Sequence, residues 1–252
     1  MRKSAFDIAA RSVLGTRESQ QDYARFSQSG SGLFAVVCDG MGGLGNGEIA
    51  SKTAALKLRD LYKAKQKEQP FPEFFQNCAE LLDNEIYNLT DGFGDRLRAG
   101  TTLVAAAAER GKLYWLSVGD SRLYIIRGGE MICVTRDHNY FLKLNQLRDS
   151  GQIDEAQYNA EAPRGESLTS YLGMGGLELI DINETAFELQ SGDRLLLTTD
   201  GLYRSVDLAQ MRDMITRYNP AEAALKLTNL AEDNSAGGLD NTTCVIIRYS
   251  GD

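Results

Sequence analysis

Histidine is nearly absent from this chain of 252 residues, in which His138 is the only example. Cysteine is also scarce, and the 4 thiols are scattered with no C-x-x-C pair, at Cys38, Cys78, Cys133 and Cys244. Zinc sites of the usual type need clustered histidine and cysteine ligands, so the sequence excludes one. The same cysteine pattern predicts reduced, buried thiols in a cytosolic protein.

Proline is limited to 4 residues, and no tract of Pro, Ser and Gly separates two halves of the chain. We therefore expect a single domain over residues 1–252. No apolar stretch approaches the ~20 residues needed to span a bilayer. The first residues also lack the apolar core of a signal peptide, so we expect a soluble, cytoplasmic protein.

Basic residues are outnumbered, with 27 Lys and Arg against 35 Asp and Glu and a net charge of -8. Nucleic-acid binding needs a basic stripe along the surface, and none is visible. An acidic surface is also repelled by anionic membranes. We expect neither nucleic acid nor a membrane as partner, and we expect a monomer.

Aspartate is the residue that the apolar runs share. Three short runs end on Asp39, Asp120 and Asp200, and Asp240 opens a fourth run, Thr242–Ile247. Such runs predict buried strands, whose ends a sheet can bring together. Clustered carboxylates in a partly desolvated site repel each other unless a divalent cation neutralises them. Because every candidate ligand is a hard oxygen, the pattern predicts Mg²⁺ or Mn²⁺.

Gly40 and Gly201 directly follow two of these aspartates. Because glycine has no Cβ, we interpret both as leaving space for a backbone carbonyl and waters to approach an ion. Two ions roughly 3.5–4 Å apart can share a water and direct it at phosphorus, which indicates a phosphoester hydrolase. Arg17 lies just before Asp22 and suits bidentate binding of phosphate oxygens. A single Asp-Gly is often only a turn, and a single Arg is often only a surface charge. The hypothesis of a phosphoester hydrolase therefore depends on the aspartates, the two glycines and Arg17 occurring together.

Three neighbouring runs, at 112–118, 122–126 and 130–135, predict an antiparallel part of a sheet, with a Gly128-Gly129 hairpin between the last two. Further strands are predicted at 23–26, 33–38, 101–108, 177–182, 186–189, 194–199 and 242–249. These are too many for one flat layer, so we expect two packed sheets.

Helices are predicted between the strand groups. Apolar faces run over 50–61, after a glycine-rich loop at 42–47, and over 71–86. Asn219-Pro220 is typical of a helix start and opens a third helix through Leu230. Helices in these places must cover the outer faces of the sheets. The predicted class is α+β, a four-layer α/β/β/α sandwich with two mainly antiparallel sheets flanked by helix pairs.

The strand pattern stops between Asp137 and Leu172. Tyr140 to Leu147 predicts a helix closed by Ser150-Gly151, and Asp154 with Gln157 predicts a second, capped helix. An excursion of this kind is typical both of a lid over a site and of a plain surface insertion, and both interpretations stay open.

Eight short motifs follow one another along nearly the whole chain, at 15–22, 37–43, 100–102, 117–122, 135–139, 168–173, 192–201 and 240–241. In this order they resemble the metal-dependent serine/threonine protein phosphatases, the PPM or type 2C family, in its compact bacterial form. The family's β-sandwich flanked by helix pairs agrees with the predicted layers. The resemblance implies hydrolysis of phosphoserine and phosphothreonine on proteins by direct attack of a metal-bridging water. It also implies a serine/threonine kinase or its targets as partners in signalling.

The resemblance further implies a role for each site residue. Asp39 and Asp22 are the implied catalytic residues. Two Mn²⁺ or Mg²⁺ ions would be bridged by Asp39 and held by the Gly40 carbonyl, Asp200, Asp240 and, through water, Asp22. A third, weaker ion is implied at Asp120 and Asp200, phosphate binding at Arg17, and a flap beside the site at about 139–170.

Two departures from the family pattern matter. Gln21 stands where the family often has Glu or Gln, so a charged outer ligand is absent and weaker binding of the second ion is implied. This is the only feature that favours the alternative of a catalytically weakened regulatory or binding module on the same fold. Met41 stands where many eukaryotic members have a histidine proposed as general acid, and a thioether cannot donate a proton. We interpret His138 as structural. A nuclease is a third candidate, which the acidic composition disfavours.

Overall fold

A computed structural model describes residues 4–29, 32–42 and 46–251. Residues 43–45, which include the end of the 37–43 motif and the middle of the glycine-rich loop, lie outside the described residues. Within the described residues the strands form two antiparallel sheets. The first contains, in spatial order, β1 (Phe6–Val13), β12 (Thr242–Tyr249), β11 (Arg194–Thr198), β7 (Arg122–Arg127) and β8 (Glu130–Cys133).

The second sheet packs against the first. Its spatial order is β10 (Phe187–Glu188), β6 (Lys112–Val118), β5 (Leu103–Glu109), β3 (Gly32–Met41) and β2 (Asp22–Ser29), with the short strands β4 (Gly100–Thr101) on β3 and β9 (Asp181–Ile182) on β6.

Helices cover both outer faces. The second sheet is covered by α1 (Asn46–Ala64) and α2 (Phe71–Tyr87), and the first by α6 (Leu208–Arg217) and α7 (Pro220–Asn234) after the short α5 (Asp200–Tyr203). Between Asp137 and Leu172 lie α3 (Tyr140–Asp149) and α4 (Glu155–Glu161). The α/β/β/α sandwich predicted from the sequence is confirmed.

Strand β3 shows why its apolar run has no alternation. Phe34, Val36 and Cys38 face the helices α1 and α2, whereas Leu33 and Val37 face the other sheet. All of them are fully buried. A central strand of a four-layer sandwich is covered on both faces, so a continuous run of apolar residues is what it needs.

Several local predictions were wrong. The strand predicted at 177–182 is reduced to β9, because Leu177 and Ile180 reach the α2 core from irregular backbone. The run at 101–108 is interrupted at Thr102 and gives β4 and β5. Strand β1 and helix α6 were not predicted. Cys133 is exposed, whereas the other three cysteines are buried free thiols as expected.

Of the helices that the structure describes, none combines the length and the apolar character that a membrane span needs.

Candidate metal centre

The two sheets bring all five predicted aspartates to one end of the sandwich. Asp22 on β2 is paired in register with Asp39 on β3. Burial raises the pKa of Asp39 well above its usual value, and the charges of Asp22, Asp200, Asp120 and Asp240 raise it further. Such an effect requires these four carboxylates to lie close to Asp39. Asp39, Asp120, Asp200 and Asp240 line an open pocket of about 720 Å³, which Arg17 also lines.

The sequence suggested that Asp39 ends its strand. In the structure Asp39 lies inside β3, because the strand continues to Met41. Its backbone is fixed by two threonines, Thr101 in β4 and Thr102 between β4 and β5. The Asp39 N–H donates to Thr102 Oγ1 at 3.0 Å, and Thr101 Oγ1 donates to the Asp39 carbonyl at 2.8 Å. The break at Thr102 therefore positions the central carboxylate of the site.

Asp22 is the most deeply buried of the five. Its Oδ2 accepts a hydrogen bond from Thr199 Oγ1 at 2.9 Å, and its Oδ1 is buried without any partner. Burial raises the pKa of Asp22 to about 7, with a contribution from the charges of Asp200 and Asp240. Buried carboxylate oxygens are nearly always satisfied by hydrogen bonds or a cation. This orphaned oxygen fits a site completed by an ion and its water.

Two arginines pair with the carboxylates at the pocket. Arg17 Nη2 lies 2.5 Å from Asp240 Oδ2, and Arg204 Nε lies 2.9 Å from Asp200 Oδ2. Arg204 Nη2 also lies 3.6 Å from Asp120 Oδ2 and contacts the carboxylate of Glu166. As arranged here, no three His, Cys, Asp or Glu side chains within the described ranges are placed to hold a metal ion.

The donor set nevertheless fits Mg²⁺ or Mn²⁺. The pocket is lined by carboxylate, carbonyl, hydroxyl and amide oxygens, with no histidine or cysteine among its described residues. Burial raises the pKa of Asp120 to about 7 and also raises that of Asp200, and neighbouring carboxylates add to both shifts. When burial and mutual repulsion make the ionised forms of several carboxylates unfavourable, a bound divalent cation stabilises those ionised forms strongly.

The structure shows a further reason for the two glycines after Asp39 and Asp200. A Cβ on Gly40 would lie 2.1 Å from the Gly47 carbonyl oxygen at the start of α1. A Cβ on Gly201 would lie 2.3 Å from the Asn241 carbonyl oxygen. Both glycines are therefore required by backbone packing around the site, whether or not an ion approaches them.

Gln21 is tied into the loops around the pocket. Its N–H donates to Asn241 Oδ1 at 2.8 Å, and its side-chain Nε2 donates to the Gly42 carbonyl at 3.3 Å. An ionised carboxylate at this position could not donate the second bond. Gln21 thus holds the strand carrying Asp22 close to the end of β3.

Sequence reasoning missed Arg204 and Glu166. Arg204 follows Asp200 by four residues, which is the spacing of an ion pair on a helix, and this signal was available. Glu166 contacts Arg204 from the excursion between Asp137 and Leu172. No sequence spacing indicates that contact, because it depends on how the excursion folds back over the pocket.

His138 lies outside the pocket and is almost fully buried. Its Nδ1 accepts a hydrogen bond from the Gly119 N–H at 3.2 Å, which fixes the turn that carries Asp120. Burial lowers the pKa of His138 to about 4. The folded protein therefore keeps this imidazole neutral at pH values where an unfolded chain would protonate it.

We expect His138 to make the protein less stable as the pH falls. Between pH 6.5 and 4 the unfolded chain binds a proton that the folded one does not, at a cost of at most about 3 kcal/mol. In His138→Asn, Oδ1 can replace the Nδ1 acceptor without titrating. Urea denaturation from pH 8 to pH 4 should show the gap in unfolding free energy between wild type and variant narrowing. A gap that stays constant over this range would contradict the prediction.

Comparisons with known proteins agree with this geometry. A family model described as Protein phosphatase 2C matches residues 11–232. Protein phosphatase PhpP of Streptococcus pneumoniae is 31% identical over 236 residues, covering 92% of this chain and 92% of that protein. The S. agalactiae serine/threonine phosphatase superposes with a TM-score of 0.81 at 26% identity, covering 97% of this chain and 100% of that one.

A third relative is the catalytic domain of the serine threonine protein phosphatase PstP, solved in complex with 2 manganese ions. It superposes with a TM-score of 0.76 at 26% identity and covers 97% of this chain and 98% of its own. The family match and the PhpP relative span most of the sequence, which confirms the resemblance drawn from the motifs. The chain belongs to the protein phosphatase 2C family.

Proposed function

We propose that this protein hydrolyses phosphoserine and phosphothreonine on other proteins with the help of Mn²⁺ or Mg²⁺. The observation that carries the proposal is the clustering of five aspartates, four of which line one open pocket together with Arg17. The family and the names of the relatives support the same reaction.

The core site would take two ions. The charges of all four other aspartates raise the pKa of Asp39, and Asp39 would bridge the ions, with the Gly40 carbonyl beside it. Asp200 and Asp240 would hold one ion, and Asp22 would act through water from its buried position. When bound, the ions supply a water activated for attack on phosphorus and neutralise charge on the phosphate. A relative solved with two manganese ions supports this number.

Arg17 would bind the phosphate group of the substrate. Its guanidinium now pairs with Asp240 and is more than half exposed, so it can exchange that carboxylate for phosphate oxygens without leaving the pocket. A planar guanidinium binds two oxygens of a phosphate at once and thereby orients it. Met41 also lines the pocket but cannot donate a proton to the leaving group.

The third ion is a separate question, because Arg204 already lies between its implied ligands. The guanidinium contacts Asp120, Asp200 and Glu166 and supplies positive charge there. We therefore infer that Arg204 competes with a third ion for Asp120 and Asp200.

Arg204→Ala should consequently bind a third Mn²⁺ more tightly, by about tenfold or more, since a directly paired positive charge is removed from two ligands. Calorimetric titration with Mn²⁺ measures this without reference to turnover. The matched control is Arg217→Ala, which removes an arginine from an exposed i,i+4 pair with Asp213 on α6. Identical stoichiometry and affinity in all three proteins would refute the competition.

Residues 139–170 would form a flap over the site within a single catalytic domain spanning 1–252. The segment is closed at its base by a bridge between Asn139 and Leu168. Glu166 and Leu168 line the pocket, and the contact of Glu166 with Arg204 fastens the segment to the metal centre. These contacts favour a flap over a plain surface insertion.

The natural substrates would be phosphorylated proteins, including a serine/threonine kinase or its targets, met in the cytoplasm by a monomeric enzyme. The net charge of -8 supports a protein partner over nucleic acid. The weakened regulatory module gains no support, because Gln21 has a structural role and the carboxylates are all present.

The reaction is tested with purified protein, a phosphothreonine peptide and p-nitrophenyl phosphate. We expect phosphate release that requires Mn²⁺ or Mg²⁺ and stops when a chelator is added. A protein without activity at any divalent-metal concentration would refute the proposal. A calorimetric stoichiometry of one ion or none would instead support the regulatory module.

A further inference from the structure

A second pocket, of about 590 Å³, adjoins the metal centre. The two pockets share Met41 and Gly42, so only the end of β3 separates them. The guanidinium-bearing residues Arg96 and Arg98 line the second pocket, together with the ring-bearing Tyr171. It therefore differs in charge from its acidic neighbour.

The two arginines of this second pocket have no acidic partner among the described residues. Arg96 lies over the ring of Tyr87, with its Cζ 3.5 Å from the ring centroid, and both arginines are exposed. Residues 43–45, which follow Gly42 in the sequence and lie outside the description, are Gly, Leu and Gly and carry no charge. By contrast, Arg17 and Arg204 at the metal centre are each paired with carboxylates. Two unpaired cations in a chain of net charge -8 indicate a place for an external anion.

The backbone fixes the second pocket relative to Asp39. Strand β4 pairs Gly100 with Met41, which brings Arg98 beside the end of β3. The Arg98 carbonyl oxygen lies only 2.9 Å from where a Cβ on Gly42 would be. On the other side, the Tyr171 ring packs directly on Gly100, where an added Cβ would lie 2.7 Å from the ring. The pairing that positions the carboxylate site thus also positions Arg98 and Tyr171.

We propose that this second pocket is a substrate subsite that binds an anionic side chain close in sequence to the phosphorylated residue. The inference rests on the proposed phosphatase function and adds a substrate preference to it. Guanidinium groups bind carboxylates and phosphates through the same planar fork, so the shared chemistry is an anionic group with two or three oxygens. An extended peptide advances about 3.3 Å per residue, so residues within a few positions of the phosphate can reach an adjoining pocket.

The test uses phosphothreonine peptides in which one Glu is moved through the four positions on each side, each compared with Gln at the same place. A second series carries a non-hydrolysable phosphonate in place of Glu, which distinguishes a carboxylate from a second phosphate as the preferred group. Phosphate release gives kcat/KM for each peptide. At one or two positions we expect the anionic peptide to exceed its Gln counterpart by about three- to tenfold, as for a partly exposed ion pair.

Variants then locate the preference. Arg98→Gln, and the double variant with Arg96→Gln, should reduce the ratio of anionic to neutral peptide to about one, whereas Arg98→Lys should keep part of it. Arg212→Gln removes the same charge from the exposed face of α6 and should leave the ratio unchanged. Because each ratio compares two peptides on one protein, it is insensitive to differences in folding or metal loading.

Two results would overturn the subsite. One is a ratio near one at every position in the wild type, and the other is an equal loss of preference in Arg212→Gln. In either case continued hydrolysis of the Gln peptides leaves the phosphatase function standing. If no peptide is hydrolysed with Mn²⁺ or Mg²⁺, the proposed function and the subsite both fall.

Discussion

Asp39→Asn is expected to reduce turnover by at least about a thousandfold, since ions at such sites contribute several kcal/mol of transition-state stabilisation. Asp39 is the carboxylate whose pKa all four other aspartates raise, so it occupies the centre of the cluster. An amide has nearly the same shape but no charge, and it cannot bridge two cations. The measurement is Mn²⁺-dependent phosphate release from a phosphothreonine peptide.

The same substitution should stabilise the protein when a chelator is present. Because the pKa of Asp39 is raised on folding, the ionised side chain destabilises the folded state increasingly as the pH rises above about 4. Asn removes that cost, so the gain in unfolding free energy should be larger at pH 8 than at pH 5. Asp233→Asn, an exposed position on α7, is the matched control and should change neither property. Near wild-type turnover in Asp39→Asn would refute the bridging role.

The gathering of the aspartates could be predicted because the signal is local. Each short apolar run specifies a buried strand, and a carboxylate at or near its end or start lies toward one end of the sheet. The run that leads to Asp39 predicted a strand although its apolar and polar residues do not alternate. A strand that is covered on both faces, as β3 is, needs apolar residues on both sides. Two packed sheets then leave few arrangements in which Asp39, Asp200 and Asp240 are far apart.

Apart from the i,i+4 pair of Asp200 and Arg204, the ion pairs at the site could not be predicted in the same way. Contacts such as Arg17 with Asp240 and Arg204 with Glu166 join residues that are distant in sequence or lie in irregular segments. Strand β1 escaped prediction because it is an edge strand with mostly half-exposed or exposed residues, so its pattern lacks a clear apolar face. The pocket of Arg96 and Arg98 likewise depends on β4, a strand of only two residues.

The motif at 192–201 carries a second role that the resemblance did not indicate. Asp193 is only 2% exposed, and its carboxylate accepts two hydrogen bonds from Arg127, at 2.8 and 2.5 Å. It also accepts one from the Gln190 N–H at 2.8 Å. These contacts fasten the end of β7 to the turn that leads into β11, the strand that delivers Asp200. Asp193 therefore stabilises the fold and lies away from the chemistry.

Asp193→Ala is accordingly expected to cost about 3 kcal/mol of unfolding free energy, because it leaves a partly buried guanidinium and a backbone N–H without their acceptor. For a chain of this size that lowers Tm by about 6–12 °C. Asp213→Ala is the matched control, since it breaks an ion pair of similar length, 2.9 Å, with Arg217. In that pair the side chains of Arg217 and Asp213 are 68% and 47% exposed. Asp213→Ala should cost less than about 1 kcal/mol. Thermal and urea denaturation measure both losses, and equal losses would mean that burial does not set the strength of the Arg127 pair.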